Sequence, residues 1–226
     1  MRRLLLILAL APAALQPVHA ADSPARLIEG EDSIEELLRL PGGLSPGRYE
    51  VHCETRIGSG GVPRTAHCYS LTNSAPGDLQ RAVLKALRDT RFVPAIRNGH
   101  AIEVYAVLMV VVDTRLKEPL ILAVPNNGVD AARYGLLYTA PQRFDDSYYM
   151  YQQQPLHTPD AGQLLMEFSI DEHGTIVDWR LRDESRTPQR NIERTLATMR
   201  RMQFLPGYFE GNPRPMLYVE GWFWRN

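Results

Sequence analysis

The sequence predicts an α+β protein made of two small modules, each an antiparallel sheet with a helix on one face. Three observations lead there. Several short runs alternate apolar with polar residues, as half-buried strands do. Two longer segments space their apolar residues three and four apart, as amphipathic helices do. The order strand, strand, helix, strand then occurs twice along the chain. With 17 prolines and 44% apolar content in 226 residues, two compact loop-rich units fit better than a helical bundle.

Residues 1–20 stand apart from this plan. Arg2-Arg3 precedes an apolar run from Leu4 to Leu15, and Val18-His19-Ala20 ends in a small residue, the pattern of a cleavable secretory signal. A run of about 12 residues falls short of the roughly 20 that span a bilayer. No cysteine follows that would carry a lipid anchor. The mature chain is expected to start near Ala21 and to be periplasmic, with no transmembrane span after signal cleavage. Without Arg2 and Arg3 it has 23 basic and 26 acidic side chains, a net charge of about −3. A nucleic-acid binder would show a large basic excess instead.

Residues 21–46 form an N-terminal segment with one short helix. Asp32-Ser33 offers a cap, Glu35 and Glu36 occupy its first turn, and Pro41-Gly42-Gly43 stops it. The helix is expected to pack on the sheet that follows. Residues 47–113 make the first module. A hairpin about Gly60-Gly61 leads to a helix from Asp78 to Asp89, with Leu79, Ala82, Val83, Ala86 and Leu87 on one side. An apolar strand from Ile102 to Val112 closes the unit. From Ala106 on that strand is apolar on both faces, so something must cover the face away from the helix. The segment Leu120–Val124 and the second module are the two candidates.

Residues 114–160 read as a linker, with a strong turn at Pro125-Asn126-Asn127-Gly128. Its first half is apolar enough to be ordered, and Tyr148–Thr158 is expected to be looser. Residues 161–226 make the second module. Leu164, Met166, Phe168 and Ile170 alternate with Leu165, Glu167 and Ser169, and Asp171-Glu172-His173-Gly174 turns the chain into the strand Ile176–Leu181. Thr187-Pro188 opens a helix whose stripe is Ile192, Leu196 and Met199. Phe204, Pro206 and Gly211-Asn212-Pro213 lead to a last strand, Met216–Trp224. The copies align at an offset of 112, Arg91-Phe92-Val93-Pro94-Ala95 and Gly99 against Gln203-Phe204-Leu205-Pro206-Gly207 and Gly211, with Gly61 matching Gly174 at 113.

The pattern carried by Phe168, Ile170, Asp171, Gly174, Ile176, Phe204, Pro206, Gly211 and Pro213 resembles the TonB C-terminal domain family. It covers about 60 of the 226 residues, with a more diverged copy in the first module. The resemblance implies a non-enzymatic protein that binds a peptide or protein partner of the cell envelope by strand addition. A segment of an outer-membrane transporter is the family's partner, which would link the chain to TonB-dependent transport. The long proline-rich spacer and membrane anchor of an energy transducer are not expected here. The alternative is a structural envelope protein whose paired repeats take no peptide.

The partner-binding candidates are Met216, Tyr218, Glu220, Trp222 and Trp224 on the last strand, because TonB-like modules receive peptides there. Its outward main-chain donors are expected at Tyr218 and Glu220. Arg190, Arg194 and Arg201 fall on one helix face, which could dock an acidic segment or simply be solvated. Cys53 and Cys68, equidistant from the Gly60-Gly61 turn, are predicted to form a cross-strand disulfide. His52 and His67 would point away from them, so no metal site is expected. No nucleophile, zinc or phosphate motif is present, so neither an enzyme nor a cofactor is predicted.

Overall fold

The computed structural model describes residues 22–71, 75–144, 162–182 and 189–224, with only the backbone described at 162–164, 190–191, 194 and 221–224. Residues 1–20, the Tyr148–Thr158 stretch and the Thr187-Pro188 helix start lie outside them. The chain is mixed α+β, dominated by antiparallel sheet. The elements begin with β1 (Arg26–Leu27), α1 (Ile34–Leu37), β2 (Arg48–Ile57), β3 (Pro63–Tyr69) and α2 (Gly77–Asp89). Next come β4 (Phe92–Val93), β5 (Ala95–Arg97), β6 (His100–Ile102) and β7 (Val104–Asp113). A middle group follows: β8 (Leu120–Val124), α3 (Ala131–Tyr134), β9 (Tyr138–Thr139) and β10 (Gln142–Arg143). The last group is β11 (Gly162–Ile170), β12 (Ile176–Leu181), α4 (Gln189–Met199), β13 (Phe204–Leu205), β14 (Gly207–Phe209), β15 (Asn212–Arg214) and β16 (Met216–Trp224).

The repeat is visible in three dimensions. β2 lies between β3 and β7, and β11 lies between β12 and β16, all antiparallel. In β2 the odd residues Val51, Cys53 and Ile57 are buried against α2, whose Leu79, Val83, Ala86 and Leu87 point inward. Each fully buried aliphatic side chain of this kind contributes about 2 kcal/mol. In the second copy Met166, Phe168 and Ile170 meet Ile192 and Met199 of α4 in the same way. The helix stripes read from the sequence therefore face the cores expected of them.

Two glycines show why the copies share a spacing. Gly61 and Gly174 have φ of +74° and +79°, and a Cβ on either would lie 2.0 Å from a main-chain oxygen, of Phe92 and Phe204 respectively. Only glycine lets the hairpin turn press this closely on the residue that follows the helix. The small hairpins β5–β6 and β14–β15 repeat as well. Asn98-Gly99 and Glu210-Gly211 both take positive φ at their tips, as a type I′ turn requires.

Cys53 and Cys68 are register partners and form a disulfide. The short N-terminal helix is capped as expected, with the Ser33 hydroxyl accepting from the Glu36 N–H at 3.3 Å. It packs on α2 and β8, and Ile34 and Leu38 join the first core. Gln142 pins the chain ahead of it, accepting from Ala25 N–H and donating to Ala25 C=O, both at 2.8 Å.

Residues 114–144, the part of the linker expected to be ordered, pair with strands of both repeats. β8 pairs the outer edge of β7, β10 pairs both β7 and β13, and β9 pairs β14. The segment is thus built into the sheets and joins the two repeats, because its apolar residues and main-chain groups find partners there. The two candidates act differently at the second face of β7. β8 extends the sheet, setting Val124 and Leu122 beside their register partners Met109 and Val111, with Leu136 packed against that cluster, while Tyr138, Ala140 and Met216 pack with Val107.

Candidate functional site

β16 is a sheet edge. It pairs β11 along its whole length, from Ile170↔Met216 to Gly162↔Trp224, and among the described residues no strand pairs its other side. The equivalent strand of the first copy, β7, has that side occupied by β8 and β10.

Two hydrogen bonds fix which residues of β16 point outward. The Leu217 N–H donates to Asp130 Oδ2 at 2.7 Å, away from β11. On the far side of β11, Leu165 C=O accepts from Arg182 N–H at 2.9 Å, so the odd residues of β11 serve β12. Antiparallel strands alternate strictly in this respect. Leu217, Val219, Gly221 and Phe223 therefore present their N–H and C=O outward, and Tyr218 and Glu220 turn theirs to β11. The expected phase was off by one residue, because it depends on which edge is free and not on side-chain patterning. The start of the edge is also covered. Asp130 takes Leu217, and the Tyr134 hydroxyl donates to Pro215 C=O at 3.0 Å. The open stretch begins at Val219.

The expected contact side chains divide accordingly. Met216 and Tyr218 are buried inside the chain and are not contact surface: Met216 packs with Tyr138, and the Tyr218 ring meets Phe204 edge-on at 4.9 Å. Glu220 is half-buried, accepts from the Tyr218 hydroxyl at 2.5 Å and lies 3.6 Å from Arg143 Nη1. The Trp222 and Trp224 side chains lie outside the description; their backbones pair Leu164 and Gly162. Arg190 and Arg194 sit four apart on α4, with side chains likewise outside it, whereas exposed Arg201 lies beyond the helix end at Met199. The three arginines therefore do not share a continuous helix face.

Beside the edge lies a cavity of about 210 Å³ whose wall combines Tyr218, Val219 and Glu220 with the first sheet. The even residues of β2 supply Glu54 and Arg56, β7 supplies Tyr105 and Val107, and β10 supplies Arg143. His52, His67 and Tyr69 share this face, the histidines flanking Tyr69 at 6.0 and 5.8 Å, opposite the disulfide. Arg143 is 1% exposed, with its guanidinium 4.5 Å from the Tyr105 ring centre. Glu54 accepts from the Tyr69 hydroxyl at 3.2 Å.

The electrostatics follow from enclosure. Glu54 keeps an accessible surface because it lines the cavity, yet protein surrounds it otherwise. That desolvation, with Glu220 nearby, pushes its carboxyl up to about 7, against the pull of Tyr69 and Arg143. Burial likewise raises the Tyr69 and Tyr218 hydroxyls and lowers His52. Such a group can hold a proton or a cation near neutrality.

Glu54, Asp130 and Arg143 were not singled out by the sequence. Glu54 had a readable signal, since His52, Glu54 and Arg56 alternate with the core residues Val51, Cys53 and Ile57. Asp130 and Arg143 had none, because their roles arise where the middle segment meets β16. Among the described residues no metal-binding cluster of His, Cys, Asp or Glu is found, and no helix is long and apolar enough to cross a membrane. Comparison with protein-family models, curated proteins and solved structures gives no match.

Proposed function

We propose that this chain is a TonB-like protein of the cell envelope that captures an extended peptide by strand addition on β16. The observation that carries the reading is the open outer edge of β16 in a strand, strand, helix, strand unit, beginning at Val219. An edge of this kind offers a row of main-chain donors and acceptors to an incoming strand. The sequence resemblance supplies the class of partner, a segment of an outer-membrane transporter or another envelope protein. The signal-like residues 1–20 supply the periplasm as the place, and intact mass of exported protein is expected to lack them.

A structural role is the second reading, favoured by the first repeat. There the corresponding edge is filled by β8 and β10, and β10 ties the repeats together through β13. The first copy then acts as the scaffold and the second as the receiver.

The test is a proline at Val219, which deletes one outward N–H while leaving the bonds to β11 intact. Binding of short extended peptides, selected on the wild-type chain, is expected to weaken about fivefold to tenfold, the worth of one net hydrogen bond. Unfolding should stay close to wild type. Tyr218→Pro, which removes an inward donor, should instead destabilise the fold. Unchanged peptide binding in Val219→Pro, with the fold intact, refutes strand addition at this edge.

A further inference from the structure

Resting on the strand-addition reading, we infer that the cavity beside Val219 receives a lysine or arginine side chain of the docked strand, held by Glu54. The cavity adjoins the open edge, because Val219 both belongs to its wall and directs its main-chain groups away from β11. A strand added there would place alternate side chains toward one face, and one of them would meet this space. At about 210 Å³ the space is smaller than pockets for drug-sized ligands, typically ~300–1,000 Å³, and suits a single long side chain.

The charge balance of the wall selects a cation. Arg56 forms an ion pair with Glu103, which also holds Arg64 at 3.1 Å. Arg143 faces Glu220. Glu54 accepts a hydrogen bond from Tyr69 but forms no ion pair among the described residues. His67, its direct register partner, stacks with Tyr69 and makes no ion pair with it. One carboxylate thus stands at the rim of the cavity without an ion-pair partner, under only the longer-range pull of Arg143, which is itself turned to Glu220. A carboxylate in that position gains more from a cation than one free in water, since desolvation strengthens the attraction. Its raised titration, described above, fits a site that lacks its positive partner. Val107 and Val219, half-buried in the same wall, would line the aliphatic stem.

The experiment uses three alternating Thr-Val peptides that differ only at the centre, which is Lys, norleucine or Glu. Each is titrated into the full mature chain and into its Glu54→Gln and Val219→Pro variants, with thermal unfolding as the folding control. The Lys peptide is expected to bind the wild type about tenfold more tightly than the norleucine peptide, with the Glu peptide weakest. Glu54→Gln should abolish that preference, read as the ratio of Lys to norleucine binding within each variant. Val219→Pro should weaken every peptide that binds. Because Glu54 must be ionised to hold the cation, the Lys preference should be larger at about pH 8.5 than at about pH 5.5. If Lys and norleucine peptides bind alike and both respond to Val219→Pro, the basic-side-chain pocket is wrong and strand addition stands. If no peptide binds the folded wild type, both are wrong.

Discussion

Replacing Asn126 by alanine removes a side chain that is fully buried and satisfies three main-chain groups at once. Its Nδ2 donates to Leu136 C=O and Tyr138 C=O, each at 2.8 Å, and its Oδ1 accepts from Gly128 N–H at 2.9 Å. The truncated side chain offers no substitute. A buried group stripped of its partner costs about 1–3 kcal/mol. The Leu136 and Gly128 ends are only partly buried, so water can recover some of their loss. The sum is about 2–4 kcal/mol, a large share of the ~5–15 kcal/mol typical of a folded domain. The damage should spread toward β16, because Tyr138 places its hydroxyl to accept from Asp130 N–H at 3.0 Å, and Asp130 caps Leu217. Urea unfolding with the disulfide intact is the assay. With a slope of about 2 kcal/mol per M, the midpoint should fall by ~1–2 M. Asn127→Ala is the control, since its Oδ1 meets only the Val129 N–H, at 3.3 Å, and its loss should stay within about 1 kcal/mol. If the two substitutions cost the same, the buried amide is not what holds the middle segment to the repeats.

Gly61→Ala and Gly174→Ala should each destabilise by more than the ~1 kcal/mol of an unfavourable positive φ, because the added Cβ also meets a main-chain oxygen at 2.0 Å. Thermal unfolding of the two variants checks the repeat, and a neutral effect at either position contradicts the equivalence drawn here. Removing the Cys53–Cys68 bridge with the double alanine variant should cost ~3 kcal/mol, from a closed loop of sequence separation 15. Denaturant midpoints equal to wild type would show that the bridge does not restrain the unfolded chain as assumed. Stability should also fall as pH rises from about 4.5 to about 7 through Glu54 alone. The folded state there binds a proton that the unfolded state has released, so raising the pH favours unfolding. Glu54→Gln should flatten that part of the stability profile, and an unchanged slope would mean that the carboxyl is not perturbed.

The sequence by itself determined what local periodicity and turn chemistry control. The α2 stripe, the hairpins turned at Gly61 and Gly174, the capped helix at Ser33 and the twofold order of elements all follow from residues close together in the chain. The disulfide belongs here too, since two cysteines at equal distance from one turn can only meet across it. Tertiary structure decided what depends on which surfaces come together. Alternation showed that β7 is apolar on both faces, but only packing assigned the second face to Leu136, Tyr138, Ala140 and Met216. The same packing buried Met216 and Tyr218, which the strand pattern alone had left facing a partner. The direction of each β16 donor was likewise illegible, because a strand's side-chain alternation says nothing about which of its edges is paired. That edge was set by Asp130 and Tyr134, brought from more than 80 residues away to cover Pro215 and Leu217 and leave Val219 open.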